Sequence, residues 1–153
     1  MNEISRNHRY DVGNIHIVAL SDGQVSISRK LLFPDTPEAI WDKYKDRFPG
    51  SFNENGFLIN LGVFLIKSST RTILVDTGLG PHSTWPTLWP NSEGARKGPA
   101  ELMDDMKAKG IGVEEIDAVF LTHLHGDHVG WNLTKDADRW NPTFPKAQYL
   151  VHR

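Results

Sequence analysis

Three imidazoles and a carboxylate fall in one short stretch, His123-Leu124-His125-Gly126-Asp127-His128, directly after the apolar run Asp117 to Leu121. In an extended segment alternate side chains point the same way, so His123 and His125 can offer two nitrogen donors to one cation while Leu124 faces back into the core. Gly126 permits a tight bend, after which Asp127 and His128 can turn toward a second cation about 3.5–4 Å from the first. Two such ions bridge a water, lower its pKa toward neutrality and polarise the carbonyl or phosphoryl oxygen under attack. The expected chemistry is hydrolysis by metal-activated water, with no serine or cysteine nucleophile. The competing reading is a polar loop that happens to be rich in histidine.

A strand must deliver this loop, and Asp117 to Leu121 is apolar enough to be one buried in a sheet. Phe57 to Ile66 and Thr72 to Asp76 read as a hairpin around Ser68-Ser69-Thr70, and their near-continuous apolar character predicts a sheet covered on both faces. Asp22-Gly23 between Ile15–Ser21 and Gln24–Ser28 is a hairpin-turn signal. Thr36 to Phe48 predicts an amphipathic helix with Pro37 in its first turn and Pro49-Gly50 closing it, burying Trp41, Tyr44 and Phe48. Pro99 to Lys109 predicts a second helix stopped by Gly110. Ala147 to His152 is a further apolar strand pattern.

Other chemistry-bearing residues have two readings each. Asp76 ends an apolar strand that should reach the same sheet edge as Leu121. Its carboxylate either braces amides or an imidazole of the histidine loop, the reading favoured here, or simply forms a turn before Thr77-Gly78. The Pro- and Trp-bearing stretch His82 to Glu93 carries Trp85 and Trp89, which either clasp an acyl chain or aromatic leaving group as a substrate pocket, or pack the loop onto the domain. Trp131 is expected to be a core anchor for a following helix. His8, His16, His82 and His152 lack clustered partners and are expected at the surface or in satisfied core positions. The charges Lys43, Lys45, Asp46 and Arg47, and Asp104, Asp105, Lys107 and Lys109, read as solvated helix faces.

Composition bounds the function. The chain has 153 residues, 39% hydrophobic and 24% charged, which suits one folded domain with a core. A net charge of -2 gives no general attraction for nucleic acid, so a small neutral or mildly polar substrate is expected. Zero cysteines exclude disulfides and thiolate ligands, leaving histidine and carboxylate donors. Met1 to Tyr10 lacks the apolar core of a secretory signal and no window approaches a membrane span, so a cytoplasmic protein is expected.

The segment Thr122-His123-Leu124-His125-Gly126-Asp127-His128-Val129-Gly130 resembles the metal-binding signature of the metallo-β-lactamase superfamily, and Ile73-Leu74-Val75-Asp76-Thr77-Gly78 resembles its first motif. Asn60 to Ile66, Gly130-Trp131-Asn132 and Phe144 to Tyr149 are similar to the branch of quorum-quenching lactonases and methyl-parathion-hydrolase-like enzymes. The resemblance implies an α+β fold, the four-layered αββα sandwich with a mixed sheet and flanking helices. It also implies a zinc-dependent hydrolase of ester, lactone or related bonds. His123 and His125 would bind the first metal and Asp127 and His128 the second, Asp127 acting in catalysis and Asp76 supporting the loop. Two zinc ions are expected per complete site, with iron or manganese as alternatives.

The family's remaining ligands come later in its sequence. The expectation is therefore that residues 1–153 form the N-terminal half of a single domain. Such a chain would be a weak metal binder, inactive alone, that pairs with its complement or with itself. Two other readings stand beside this one: a non-catalytic fragment or interaction module of the same fold, and an iron-dependent oxygenase on it. His125 argues against the flavodiiron branch, where a glutamate is expected.

Overall fold

The computed structural model describes residues 9–54, 56–81 and 100–152. His8, His82, Trp85 and Trp89 lie outside them. In chain order the described elements are β1 (Arg9–Val12), β2 (Ile15–Ile27), α1 (Arg29–Leu32), a 3-10 turn (Glu38–Trp41), α2 (Asp42–Arg47), β3 (Phe57–Lys67) and β4 (Thr72–Val75). Then follow α3 (Leu102–Ala108), β5 (Ala118–Leu121), α4 (Gly126–Val129), β6 (Leu133–Asp136), β7 (Arg139–Pro142) and β8 (Gln148–Val151).

Six strands form one mixed sheet in the order β1-β2-β3-β4-β5-β8, and β6-β7 is a separate antiparallel pair. The first four strands pair antiparallel, as short connections allow. β4, β5 and β8 run parallel, so each of the last two steps needs a crossover. The first crossover carries α3, and the second carries the histidine loop, α4 and the β6-β7 pair.

One face of the sheet is sealed. Leu20, Val63, Leu65, Leu74, Val119 and Leu121 point to it and pack with Leu102 and Met106 of α3, Ile116, Trp131 and Phe144. The opposite face carries a row in strict register, Ala19–Phe64–Val75–Phe120–Leu150. On it Phe64 is 48% exposed, Phe120 42% and Leu150 40%. The period-2 alternation of strands explains why continuous apolar sequence yields one dry and one open apolar face. The expected cover on both faces is therefore half present among the described residues.

Several local expectations are corrected. Asp22-Gly23 is no hairpin turn: β2 runs through it with a register shift between Ser21 and Gln24, and Gly23 takes φ +92°. A bulge and a turn both call for such a glycine, and long pairing with β3 selects the bulge. The Thr36–Phe48 helix is a 3-10 turn followed by α2. None of its residues is buried, and Phe33, Ile40, Trp41, Tyr44, Phe48 and Phe57 instead line an open hollow of about 520 Å³.

Trp131 is buried, but a strand, β6, follows it. Asp105 and Lys109 are not a solvated face: they pair with each other, largely buried, and Asp105 also accepts the Ser21 amide at 2.9 Å. His16 is half-exposed beside Asp11 and Arg9, and His152 is exposed.

Candidate metal centre at the end of the parallel strands

β4 and β5 pair in parallel with Val75 opposite Phe120, so Asp76 and Thr122 leave the sheet together. The Asp76 amide donates to Phe120 O at 2.9 Å. Asp76 then adopts φ +62°, a left-handed conformation that a non-glycine residue holds only when its surroundings over-determine it. Its carboxylate supplies that determination. Oδ1 accepts the Thr122 amide at 2.8 Å, Oδ2 lies 2.8 Å from the Thr122 hydroxyl, and Oδ2 also lies 2.8 Å from Nδ1 of His128.

These contacts fix two imidazoles. A carboxylate only accepts, so Nδ1 of His128 carries the proton toward Asp76 and Nε2 is left as that ring's lone-pair donor. The Thr122 hydroxyl has one proton, which it donates in a hydrogen bond to the Asp76 carboxylate. The hydroxyl oxygen therefore accepts from Nδ1 of His123, 3.0 Å away, and Nε2 is left as the lone-pair nitrogen of that ring too.

The rings gather at one lip of the sheet. The centroid of His123 lies 3.9 Å from that of His128 and 4.5 Å from that of His125. Asp127 Oδ2 is 3.5 Å from Nε2 of His128. His123 and His125 are exposed, Asp127 and His128 half-buried. Imidazole and carboxylate are the donors zinc takes in a site without thiolates, so the residue types fit such an ion. The rings are packed, yet among the described residues no three His, Asp or Glu side chains converge closely enough to ligate a single ion.

Two details of the loop differ from the sequence reading. Leu124 is 64% exposed rather than turned into the core, because β5 ends at Leu121 and the loop has already left the sheet. The turn after His125 is made by the helical residues of α4, with Gly126 at their start rather than in a tight glycine bend.

Sequence reasoning missed the frame behind the loop. Thr77 N donates to His128 O at 2.8 Å, Gly130 N to Gly78 O at 2.8 Å and Trp131 N to Thr77 O at 3.2 Å. Gly80 and Gly130 touch backbone to backbone: a Cβ on Gly80 would sit 2.1 Å from Gly130 O, and one on Gly130 1.9 Å from Leu79 O. The fully buried Asp22 stands behind both segments. The Asp-Gly pair was its sequence signal, but that pair fits a turn equally well.

Comparison with known proteins agrees with this architecture. The profile of the Metallo-beta-lactamase superfamily matches residues 63–150. The N-acyl homoserine lactonase AiiB of Agrobacterium fabrum (strain C58) is 30% identical over 78 residues, 47% of this chain and 28% of that protein. The crystal structure of hydrolase AbOPH, in the beta lactamase superfamily, superposes with a TM-score of 0.70 at 26% identity, over 97% of this chain and 45% of that one. AidC, a dizinc quorum-quenching lactonase solved in complex with a product, superposes with a TM-score of 0.67 at 22% identity, over 93% of this chain and 43% of that one. The chain thus spans less than half the length of these relatives. With more than half of its residues inside the profile and both motifs at one sheet edge, the chain belongs to the metallo-beta-lactamase superfamily.

Proposed function

We infer that this chain is part of a metal-dependent hydrolase of ester, lactone or related bonds. His123 and His125 hold one divalent ion, Asp127 and His128 a second, and zinc is the expected metal. The observation that carries this reading is the pair of hydrogen-bond relays from Asp76, which engage Nδ1 of both His123 and His128 and leave Nε2 as the lone-pair nitrogen of each ring, that of His128 beside Asp127. The similarity to AiiB, named an N-acyl homoserine lactonase, supports a small ester-like substrate. When bound, such ions acidify a coordinated water and polarise the substrate oxygen. Asp76 orients the imidazoles, Thr122 passes that orientation to His123, and Asp127 contributes the carboxylate nearest the reacting centre.

We further infer that the chain forms the N-terminal half of its domain. Coverage of only 45% of AbOPH supports this, as does the open apolar face carrying Phe64, Phe120 and Leu150. A complementary layer would cover that face and bring the remaining ligands. A second copy of this chain is the other candidate cover.

Zinc titration of the 153-residue chain tests the site. Weak binding is expected, lost in His123→Ala/His125→Ala and reduced in Asp127→Ala. The chain alone should show negligible hydrolysis of an N-acyl homoserine lactone, and a complementary chain bearing the later ligands should restore turnover that Asp127→Ala abolishes again. Binding indifferent to all three substitutions, or robust turnover by the isolated chain, would overturn the assignment. The non-catalytic reading draws on the lack of three converging donors among the described residues. It predicts no turnover even after complementation.

A further inference from the structure

Asp22 lies outside the histidine loop, is 0% exposed, and among the described residues receives five N–H donors from three separate parts of the chain. Oδ2 accepts the amides of Leu79 and Gly80, both at 2.9 Å. Oδ1 accepts the amides of Glu101 at 3.0 Å and Leu102 at 2.9 Å, and the Trp131 indole Nε1 at 2.9 Å. The carboxylate therefore grips the 78–80 turn with one oxygen and the start of α3 and Trp131 with the other. Those same two segments, 77–80 and 128–131, are laced together by the backbone bonds that include Thr77 N to His128 O.

We propose that Asp22 is a positioning residue for the histidine loop, setting the orientation of His128 through the 78–80 turn and Trp131. The proposal rests on the reading of that loop as a metal site. Only a carboxylate serves the geometry. An asparagine has the same shape but would aim its own NH2 at N–H donors on one side, releasing either the turn or the α3–Trp131 side. Gly78 makes room for the Asp22 side chain, because a Cβ at that position would lie 2.6 Å from the Asp22 Cβ.

The test compares Asp22→Asn with Met106→Ala, a buried truncation in α3 that lowers stability without touching the carboxylate. Two readouts are taken on the 153-residue chain: the ring-nitrogen resonances of His128 without metal, and zinc affinity. Asp22→Asn should move the His128 resonances toward an average of both tautomers and weaken zinc at least about tenfold. Met106→Ala should leave both near wild type. Equal behaviour of the two variants would overturn the proposal. If zinc leaves the wild-type His128 resonances untouched, the metal-site reading fails, while the metal-free resonances still decide the role of Asp22. If Asp22→Asn does not fold, Trp131→Phe removes one donor of the five, and an unchanged His128 ring in that variant would also overturn the proposal.

Discussion

The imidazole Nδ1 of His128 sits 2.8 Å from Oδ2 of Asp76, 52 positions earlier in the chain, and the residue that holds it has a left-handed backbone. The ring's outward nitrogen is thereby chosen by a residue that is not itself in the histidine loop.

Asp76→Asn should keep the fold, since asparagine tolerates positive φ. It leaves one oxygen for three donors, so zinc affinity should fall about 10- to 100-fold. Calorimetric titration checks this, and an affinity within twofold of wild type would show that Asp76 does not orient the ring.

Gly130→Ala should lower stability by about 3 kcal/mol or more, because the new Cβ lands 1.9 Å from the Leu79 backbone. Gly13→Ala meets nothing within 4 Å and, unlike Gly130 at φ -64°, sits at φ +62°, so it should cost only about 1 kcal/mol of backbone strain. Urea unfolding of the two variants side by side measures the contrast, and equal losses would mean that the Gly80–Gly130 approach is not tight.

The open sheet face predicts association. At micromolar concentrations the chain should sediment as a dimer or larger species and bind an apolar dye, and Phe64→Glu with Phe120→Lys should abolish both. A monodisperse monomer that leaves the dye dark would contradict this.

Tyr149 predicts a pH effect. Burial raises its phenol above the ordinary value of 10.0, outweighing the hydrogen bond from the Phe144 amide. The native state then keeps its proton after the unfolded chain has lost it, so this group's contribution falls as pH rises above about 10. Tyr149→Phe should cost about 0.5–1.5 kcal/mol at neutral pH, through the lost bond to Asn132 O, and the gap to wild type should narrow above pH 10. Chemical denaturation at pH 7, 9 and 10.5 reads it, and a constant gap would refute it.

What the sequence disclosed followed from how local each signal was. The β3-β4 hairpin and the strand before His123 were legible because period and turn chemistry sit within a few residues of each other. Leu124 was misread because the two-residue alternation holds only while the chain stays in the sheet, and β5 ends at Leu121. Asp22 was invisible as a hub because its donors lie 57 to 109 positions away. The motif residues could be named from their spacing, but their tautomers depend on Asp76 and Thr122 meeting across parallel strands.

The sheet's two edges are unequal. β1 presents Arg9 and Asp11, paired at 2.9 Å, along one edge, whereas β8 presents Gln148, Tyr149, Leu150 and Val151, without a charge, along the other. Charged edges discourage strand addition and uncharged ones invite it. Among the described residues, growth of this sheet should therefore be directional: a foreign strand is expected beside β8, and overheated or crowded samples should coalesce through that side first, a hazard that Leu150→Lys would blunt.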